Sequence, residues 1–326
     1  MNLAQLYSQA VGLHRAGASA AAERIYLQVL AAAPRHVPSL TMLGLLRHKQ
    51  GRHTEALELL DTVMRHSPAN PKVHYNRGHV LLALGRPAEA LAAFEKALAL
   101  DPAYEKAHFN RGEMLRRLDR HEEAVAAYDA ALVLRPDSAA SLFSRAAALA
   151  RLERLEAALA GYRAGLALAP DHVEALLAQG DILQTLRRFH EALGAYDRAL
   201  AVKPDCADGF NNRGCLFFSL DCFTGALADF DSALAIDPRH AGALTNRGNA
   251  LRQLGRRDEA MASYDAVLAL QPDHQAAADN RRRLLAQPPG AEATKPDYAD
   301  APGISPQRLR RDLAALEEAL QFQDGI

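Results

Sequence analysis

The chain contains no tryptophan, and its 326 residues include only three cysteines: Cys206, Cys215 and Cys222. No two of them form a C-x-x-C pair, and a chain this long needs no disulfide frame to hold a core. It also lacks a charge bias, with 38 basic against 39 acidic residues and a formal net charge of -1. That balance excludes a general pull toward nucleic acid or an anionic membrane. No apolar run is long enough to cross a bilayer. The opening stretch shows no basic leader followed by an apolar core, so a cytoplasmic protein is expected. H-E-x-x-H, G-x-S-x-G and phosphate-loop motifs are absent. The thirteen histidines are scattered without ligand-spaced acids. The expectation is therefore a non-catalytic chain with no cofactor and no metal.

What the sequence does have is alanine, leucine and a strict period. Pro34, Pro68, Pro102, Pro136, Pro170, Pro204, Pro238 and Pro272 fall on multiples of 34, in eight blocks without insertion or deletion. Ala22, Ala56, Ala90, Ala124, Ala158, Ala192, Ala226 and Ala260 keep the same step. A third column reads Tyr26, Leu60, Phe94, Tyr128, Tyr162, Tyr196, Phe230 and Tyr264. A fourth holds Gly44, Gly78, Gly112, Gly180, Gly214 and Gly248, completed by Ala10 and Ala146. Fixed self-similarity at this period marks a stacked-repeat architecture. Within a block, His74, Arg77, Gly78, Leu81 and Leu82 follow a helical spacing that Gly85 breaks. Pro87 then suits the first turn of a second helix carrying Ala90, Leu91, Phe94, Ala97 and Leu98. That helix should end just before Pro102.

These columns, with the turn glycines Gly17, Gly51, Gly85 and Gly255, resemble the tetratricopeptide repeat (TPR) family. The resemblance covers residues 1 to about 286. It implies an all-α, right-handed solenoid of stacked antiparallel helix pairs, in which the first helix of each pair lines a concave groove. Asp119, Glu153, Arg187 and Asp221 stand where the turn glycine is expected, which puts those turns in question. Residues 273–286 look like a lone capping helix, with Arg281, Arg282 and Arg283 facing solvent. Residues 287–304, rich in proline, glycine and alanine, read as a flexible linker. Residues 305–326 read as an amphipathic helix, capped by Ser305 and striped by Leu309, Leu313, Leu316 and Leu320.

The triplet Asn-Arg-Gly recurs at Asn76, Asn110, Asn212 and Asn246. Its glycine is expected to let two helices approach, with the alanine column as its partner. Its arginine is expected to pair with an acid eighteen residues on: Arg77 with Glu95, Arg111 with Asp129, Arg213 with Asp231, Arg247 with Asp265. Asp61 and Asp197 lack such an arginine, and Arg145 meets Arg163. In the resembled family the asparagine position points into the groove, where a carboxamide offers a peptide backbone both a donor and an acceptor. Candidate binding residues are Tyr75, Asn76, His79, Lys106, Phe109, Asn110, Arg116, Phe143, Asn212, Asn246 and Asn249. Lys72, Arg117 and Arg151 add charge to the earlier blocks, against Glu113, while Glu174, Asp181 and Asp208 make the later blocks acidic. The expected function is a protein-interaction scaffold. Its ligand would be a peptide or protein segment, acidic and with apolar anchors, and its own C-terminal helix is a candidate in cis. The family's grip on acidic chaperone tails is incomplete here, because Asn110 stands where an arginine should follow Lys106. Two alternatives remain open: a substrate-recruiting partner of a separately encoded glycosyltransferase, and self-assembly through the C-terminal helix.

Overall fold

A computed structural model describes residues 2–286. The linker and C-terminal helix expected at 287–326 lie outside the described residues. Seventeen α-helices and no strand occur among the described residues. The first helices begin at Leu3, Val37, Pro71, Glu105, Ala139, Val173, Ala207, Ala241 and Gln275, and the second helices at Ser19, His53, Pro87, His121, Leu155, Phe189, Phe223 and Arg257. Both series advance by the step of the proline column, and the chain is an all-α repeat solenoid.

The described helices fall into two compact units, divided between Arg154 and Leu155. The first holds α1 (Leu3–Arg15), α2 (Ser19–Ala32), α3 (Val37–Lys49), α4 (His53–His66), α5 (Pro71–Ala83), α6 (Pro87–Leu100), α7 (Glu105–Arg117), α8 (His121–Leu134) and α9 (Ala139–Arg151). Here α1 packs on α2, α3 on α4, α5 on α6 and α7 on α8, and each pair stacks on the next through α2–α3, α4–α5, α6–α7 and α8–α9. The second unit holds α10 (Leu155–Leu168), α11 (Val173–Thr185), α12 (Phe189–Val202), α13 (Ala207–Ser219), α14 (Phe223–Ile236), α15 (Ala241–Gln253), α16 (Arg257–Leu270) and α17 (Gln275–Ala286). Pairs α11–α12, α13–α14 and α15–α16 stack in the same way, with α10 on α11 and α17 against α16 and α15.

Local chemistry sets the helix ends. The second helices α6 and α14 stop on an extended residue: Asp101, before Pro102, sits at φ -141°, ψ 90°, and Asp237, before Pro238, at φ -127°, ψ 94°. A following proline disfavours helical backbone there. The eight first helices before α17 each end in a left-handed turn. At Gly85 (φ 71°) the Arg86 N–H reaches back to the Leu81 carbonyl at 2.9 Å, the closure that such a turn permits. Asp119, Glu153, Arg187 and Asp221 adopt the same conformation, at φ 56°, 58°, 59° and 54°. The turns questioned by these residues therefore keep the repeat geometry, at the steric cost a side chain meets in that region.

The nearest neighbours of the glycine column are the rings of the aromatic column, a contact that the expected pairing with the alanines did not include; at Gly44 the Ala56 carbonyl oxygen is also close, at 3.5 Å. A Cβ added to Gly78 would lie 2.6 Å from the Phe94 ring, and one added to Gly112 would lie 2.6 Å from the Tyr128 ring. Gly214 and Gly248 meet Phe230 and Tyr264 in the same way, at 2.7 and 2.5 Å. These rings are the largest buried groups, with Phe94, Tyr128 and Tyr264 fully buried. Where the column has Leu60, the approach relaxes, and a Cβ on Gly44 would sit at 3.4 Å.

The arginine pairing also needs correction. Each arginine bonds the acid sixteen residues before it, on the preceding hairpin. Arg77 Nε donates to Asp61 at 2.7 Å, Arg111 to Glu95 at 3.2 Å and Arg145 to Asp129 at 2.6 Å. In the second unit Arg213 donates to Asp197 at 2.8 Å, Arg247 to Asp231 at 2.6 Å and Arg281 to Asp265 at 2.5 Å. The shorter spacing accounts for Asp61, Asp197 and Arg145, which the longer one left without partners. It also explains a double exception: Arg163 interrupts the acid column and Gln179, sixteen residues on, interrupts the arginine column. Arg163 instead bonds Glu191 at 2.6 Å. Arg213 goes further and holds Asp229 bidentately, at 2.7 and 2.8 Å.

Two measurements check this packing. Gly112→Ala should cost about 2 kcal/mol, since overpacking against a buried ring outweighs the gain of roughly 1 kcal/mol in helix propensity. Gly44→Ala should be neutral or stabilising, and urea denaturation midpoints report both. A double-mutant cycle on Arg77 and Asp61 should return a coupling of about 0.5–1 kcal/mol, the range of a partly exposed pair. The cycle on Arg77 and Glu95 should return none.

Candidate functional site

The first helices of each unit lie side by side, and their outward faces carry the candidate residues. The asparagine column is the link between them. Asn110 Nδ2 on α7 donates to the Tyr75 hydroxyl on α5 at 3.0 Å and to its own-helix Lys106 carbonyl at 2.9 Å, and it lies 3.5 Å from His79 Nε2. In the second unit Asn212 Nδ2 donates to Asp181 at 3.1 Å. Asn246 Nδ2 donates to the Asn211 carbonyl oxygen at 3.0 Å and to Cys215 Sγ at 3.2 Å. Asn280 Nδ2 donates to Asn249 at 2.9 Å. Each of these four carboxamides donates to the preceding first helix, and Asn110 donates to its own helix as well.

The acceptor in that link is matched to the buried ring beneath it. Tyr128, Tyr196 and Tyr264 donate their hydroxyls to Glu113, Asp181 and Asn249 at 2.7, 2.7 and 2.8 Å. Where the ring is Phe94 or Phe230, which has nothing to donate, the same position carries His79 or Cys215. At Tyr26 it carries Val11, and the Tyr26 hydroxyl is buried without a partner; burial, then Tyr7, pushes its pKa up to about 12. Asn76 follows an apolar Leu45 at that position. No hydrogen bond engages its side chain among the described residues.

Residues 2–154 gather Tyr75, Asn76, His79, Lys106, Phe109, Asn110, Arg116 and Phe143 on α5, α7 and α9. Tyr75 anchors an aromatic group, with ring centroids 4.6 Å from His79, 4.9 Å from Tyr104 and 5.7 Å from Phe94. Tyr104, in the loop before α7, went unnoticed in the sequence because it lies outside the helix column that carries Tyr75. Phe109 sits 5.9 Å from the Tyr128 ring, and Phe143 is half-buried on α9. Burial, reinforced by His48, lowers the His79 pKa, so its ring is neutral near pH 7 and available as an acceptor. Arg116 is not a free cation: it donates to Glu113 at 3.0 Å.

Charge on this face is one-sided. The helices α1, α3, α5, α7 and α9 carry two carboxylates, Glu105 and Glu113. Glu105 accepts from Arg135 at 2.6 Å, and Glu113 is held by Arg116 and Tyr128. Arg15, Lys49, Lys72, Lys106, Arg117 and Arg151 are exposed on the same helices. None of them has a salt bridge or side-chain hydrogen bond among the described residues. Lys72 and Lys106 stand one repeat apart near the helix starts, and Arg117 and Arg151 one repeat apart at the helix ends. The aromatic row of Tyr75, Phe109 and Phe143 runs between the two rows.

Asn212, Asn246 and Asn249 lie in the second unit and form no part of that cluster. Asn246 and Asn249 line a cleft of about 90 Å³ with Cys215, Phe218 and Phe230. Burial, then the Asp181 carboxylate, pushes the Cys215 thiol up to about 11, so it stays protonated and unreactive near neutrality. Here α11 and α13 carry Glu174, Asp181 and Asp208, with Arg213 their only cation, whereas α15 and α17 carry Arg247, Arg252, Arg281, Arg282 and Arg283 against Asp279. No cluster of three or more histidine, cysteine or carboxylate side chains that could hold a metal occurs among the described residues. None of their helices is long and apolar enough to cross a membrane.

Stacked helical hairpins with a glycine-on-ring contact define a class, the repeat solenoids of hairpin units. Within that class the chain belongs to the tetratricopeptide repeat family. One model of that family matches residues 75–139, 123–173, 177–241 and 212–275, and a second matches residues 37–103. Solved structures repeat the fold. The C-terminal part of a TPR repeat-containing protein from Cytophaga hutchinsonii is similar at a TM-score of 0.62 and 14% identity, over 74% of this chain and 98% of that one. A tetratricopeptide repeat protein from Parabacteroides merdae gives 0.61 and 18%, over 76% and 98%. The APC/C hetero-tetramer Cut9–Hcn1 gives 0.57 and 17%, over 82% of this chain but 52% of that one. No curated protein matches the chain. As a TPR protein the chain is a protein-interaction scaffold.

Glu113 offers a pH test of the link. Burial works against its charge, but hydrogen bonds from Arg116, Tyr128 and Ser144 outweigh it and hold the pKa below the usual value. The stability this contributes is complete above the ordinary glutamate pKa of about 4.3 and is lost as pH falls through the lowered value. Urea midpoints taken at pH 7, 5 and 3 should therefore fall more steeply for the wild type than for Glu113→Gln.

Proposed function

We propose that the first-helix face of residues 2–154 docks an acidic protein segment carrying apolar anchors. The observation behind this reading is that five adjacent first helices carry no unengaged carboxylate and expose six cations that have no salt bridge among the described residues. A surface of one sign attracts and orients a segment of the other. The aromatic row between the cation rows supplies apolar contact, the usual source of binding energy at an interface. Asn76, whose carboxamide has no internal bond, stands beside Tyr75 with a donor and an acceptor for the segment's backbone.

The asparagines contribute less than their number suggests. With donors committed between helices, Asn110, Asn212 and Asn246 serve chiefly to hold adjacent repeats in register. Specificity then rests on the flanking cations and rings. The more acidic first helices α11 and α13 do not suit the same ligand.

A fluorescence-anisotropy titration of the full chain tests the proposal. The probe is a labelled twelve-residue peptide with phenylalanine between glutamates, compared with its lysine counterpart. The acidic peptide should bind and the basic one should not. Lys72→Glu with Lys106→Glu should weaken binding at least tenfold, about 1.4 kcal/mol, while Glu174→Lys with Asp208→Lys should leave it unchanged. Equal binding of both peptides overturns the reading, as does indifference to the lysine reversals or tighter binding of a single-stranded oligonucleotide.

A further inference from the structure

The cationic face lacks an occupant among the described residues, yet the chain's own sequence contains one of matching chemistry. Residues 312–324, "DLAALEEALQFQD", carry Asp312, Glu317, Glu318 and Asp324 and no basic residue. Leu313, Leu316, Leu320 and Phe322 are interleaved with these acids, so carboxylates flank apolar side chains on both sides of Phe322. The face presents the complement: an aromatic row with Lys72 and Lys106 along one edge and Arg117 and Arg151 along the other. Those rows are separated by eleven residues of helix, about 16 Å at 1.5 Å per residue. Among the described residues, the acids of the first helices of this unit are already bound internally, and none of the six cations has a salt bridge.

We propose that the segment 312–324 is the resident ligand of this face and competes with outside partners for it. The inference rests on the docking reading above and adds regulation to it. Twenty-five residues, 287–311, separate this segment from α17, a stretch that reaches at most about 85 Å when extended. A tethered segment whose effective concentration is about ten times its Kd fills the face in about nine molecules of ten. An outside ligand would meet a roughly tenfold loss of apparent affinity. The same segment can reach the face of a second copy, and protein concentration separates the two routes.

The test uses full-length protein throughout. The probe is a labelled synthetic peptide of residues 305–326, titrated against the wild-type chain and against a full chain carrying Glu317→Lys, Glu318→Lys and Phe322→Ala. The altered chain, with its own segment disabled, should bind the probe about tenfold more tightly. Adding Lys72→Glu and Lys106→Glu to the altered chain should abolish that gain. A gain that shrinks as the protein is diluted, with a wild-type dimer lost in the altered chain by sedimentation, places the segment on a second copy. A gain independent of concentration places it in cis. Equal affinity for the wild-type and altered chains overturns the inference. The glutamate–phenylalanine peptide separates the two levels. If it binds with lysine dependence while the tail changes do nothing, only the resident-ligand inference falls; if neither peptide binds, the docking reading falls with it.

Discussion

The structure depends on the contact between a glycine backbone and an aromatic ring. In the hairpins with glycine at this position and a ring opposite, the first helix gives up a side chain so that a phenylalanine or tyrosine from the second can lie against its backbone. Gly78 with Phe94 and Gly112 with Tyr128 leave no room for a methyl group. The missing side chain costs helix propensity of roughly 1 kcal/mol. Burying the ring returns about 2–3 kcal/mol, and the hairpin is held at one separation. Everything that joins one hairpin to the next assumes that separation.

Two sets of polar bonds do the joining, one on each side of the first helix. On one side arginine reaches back to the acid of the preceding hairpin, and on the other asparagine reaches back to the preceding first helix. Both run in the same direction along the chain, so a repeat followed by such an arginine or asparagine is braced by the one after it. The matching is residue by residue. Tyrosine hydroxyls find Glu113, Asp181 or Asn249, while phenylalanines sit under His79 or Cys215. Arg163 in the acid column coincides with Gln179 in the arginine column. Mispairing would leave a polar group buried without a partner, as at Tyr26, and such a group costs more than a bond gains.

This bracing also decides where charge is left over. The column arginines spend their charge on acids at the sides of the repeats, and Glu105 and Glu113 are spent on Arg135, Arg116 and Tyr128. Cations at the two ends of the first helices have no salt bridge among the described residues. A chain whose net charge is -1 thereby presents a strongly basic face in residues 2–154. Composition averages over the whole surface and conceals it.

The sequence by itself determined the period, the two helices in each block and where they end, because proline, glycine and apolar spacing act within a few residues of themselves. It also exposed most of the cationic and aromatic side chains, since a column read at one step falls on one face. Pairing was decided only by the tertiary structure. A spacing of eighteen and one of sixteen are both plausible along the chain, and the stacking of hairpins selects sixteen. The asparagines read as groove residues because their position does face outward. Their donors are nevertheless turned sideways, toward Tyr75, Asp181, Asn211 and Asn249, by neighbours about thirty residues away in sequence. Likewise the glycine's partner could be named only once the ring above it was seen, because a close approach between backbones is a property of two helices and not of either one.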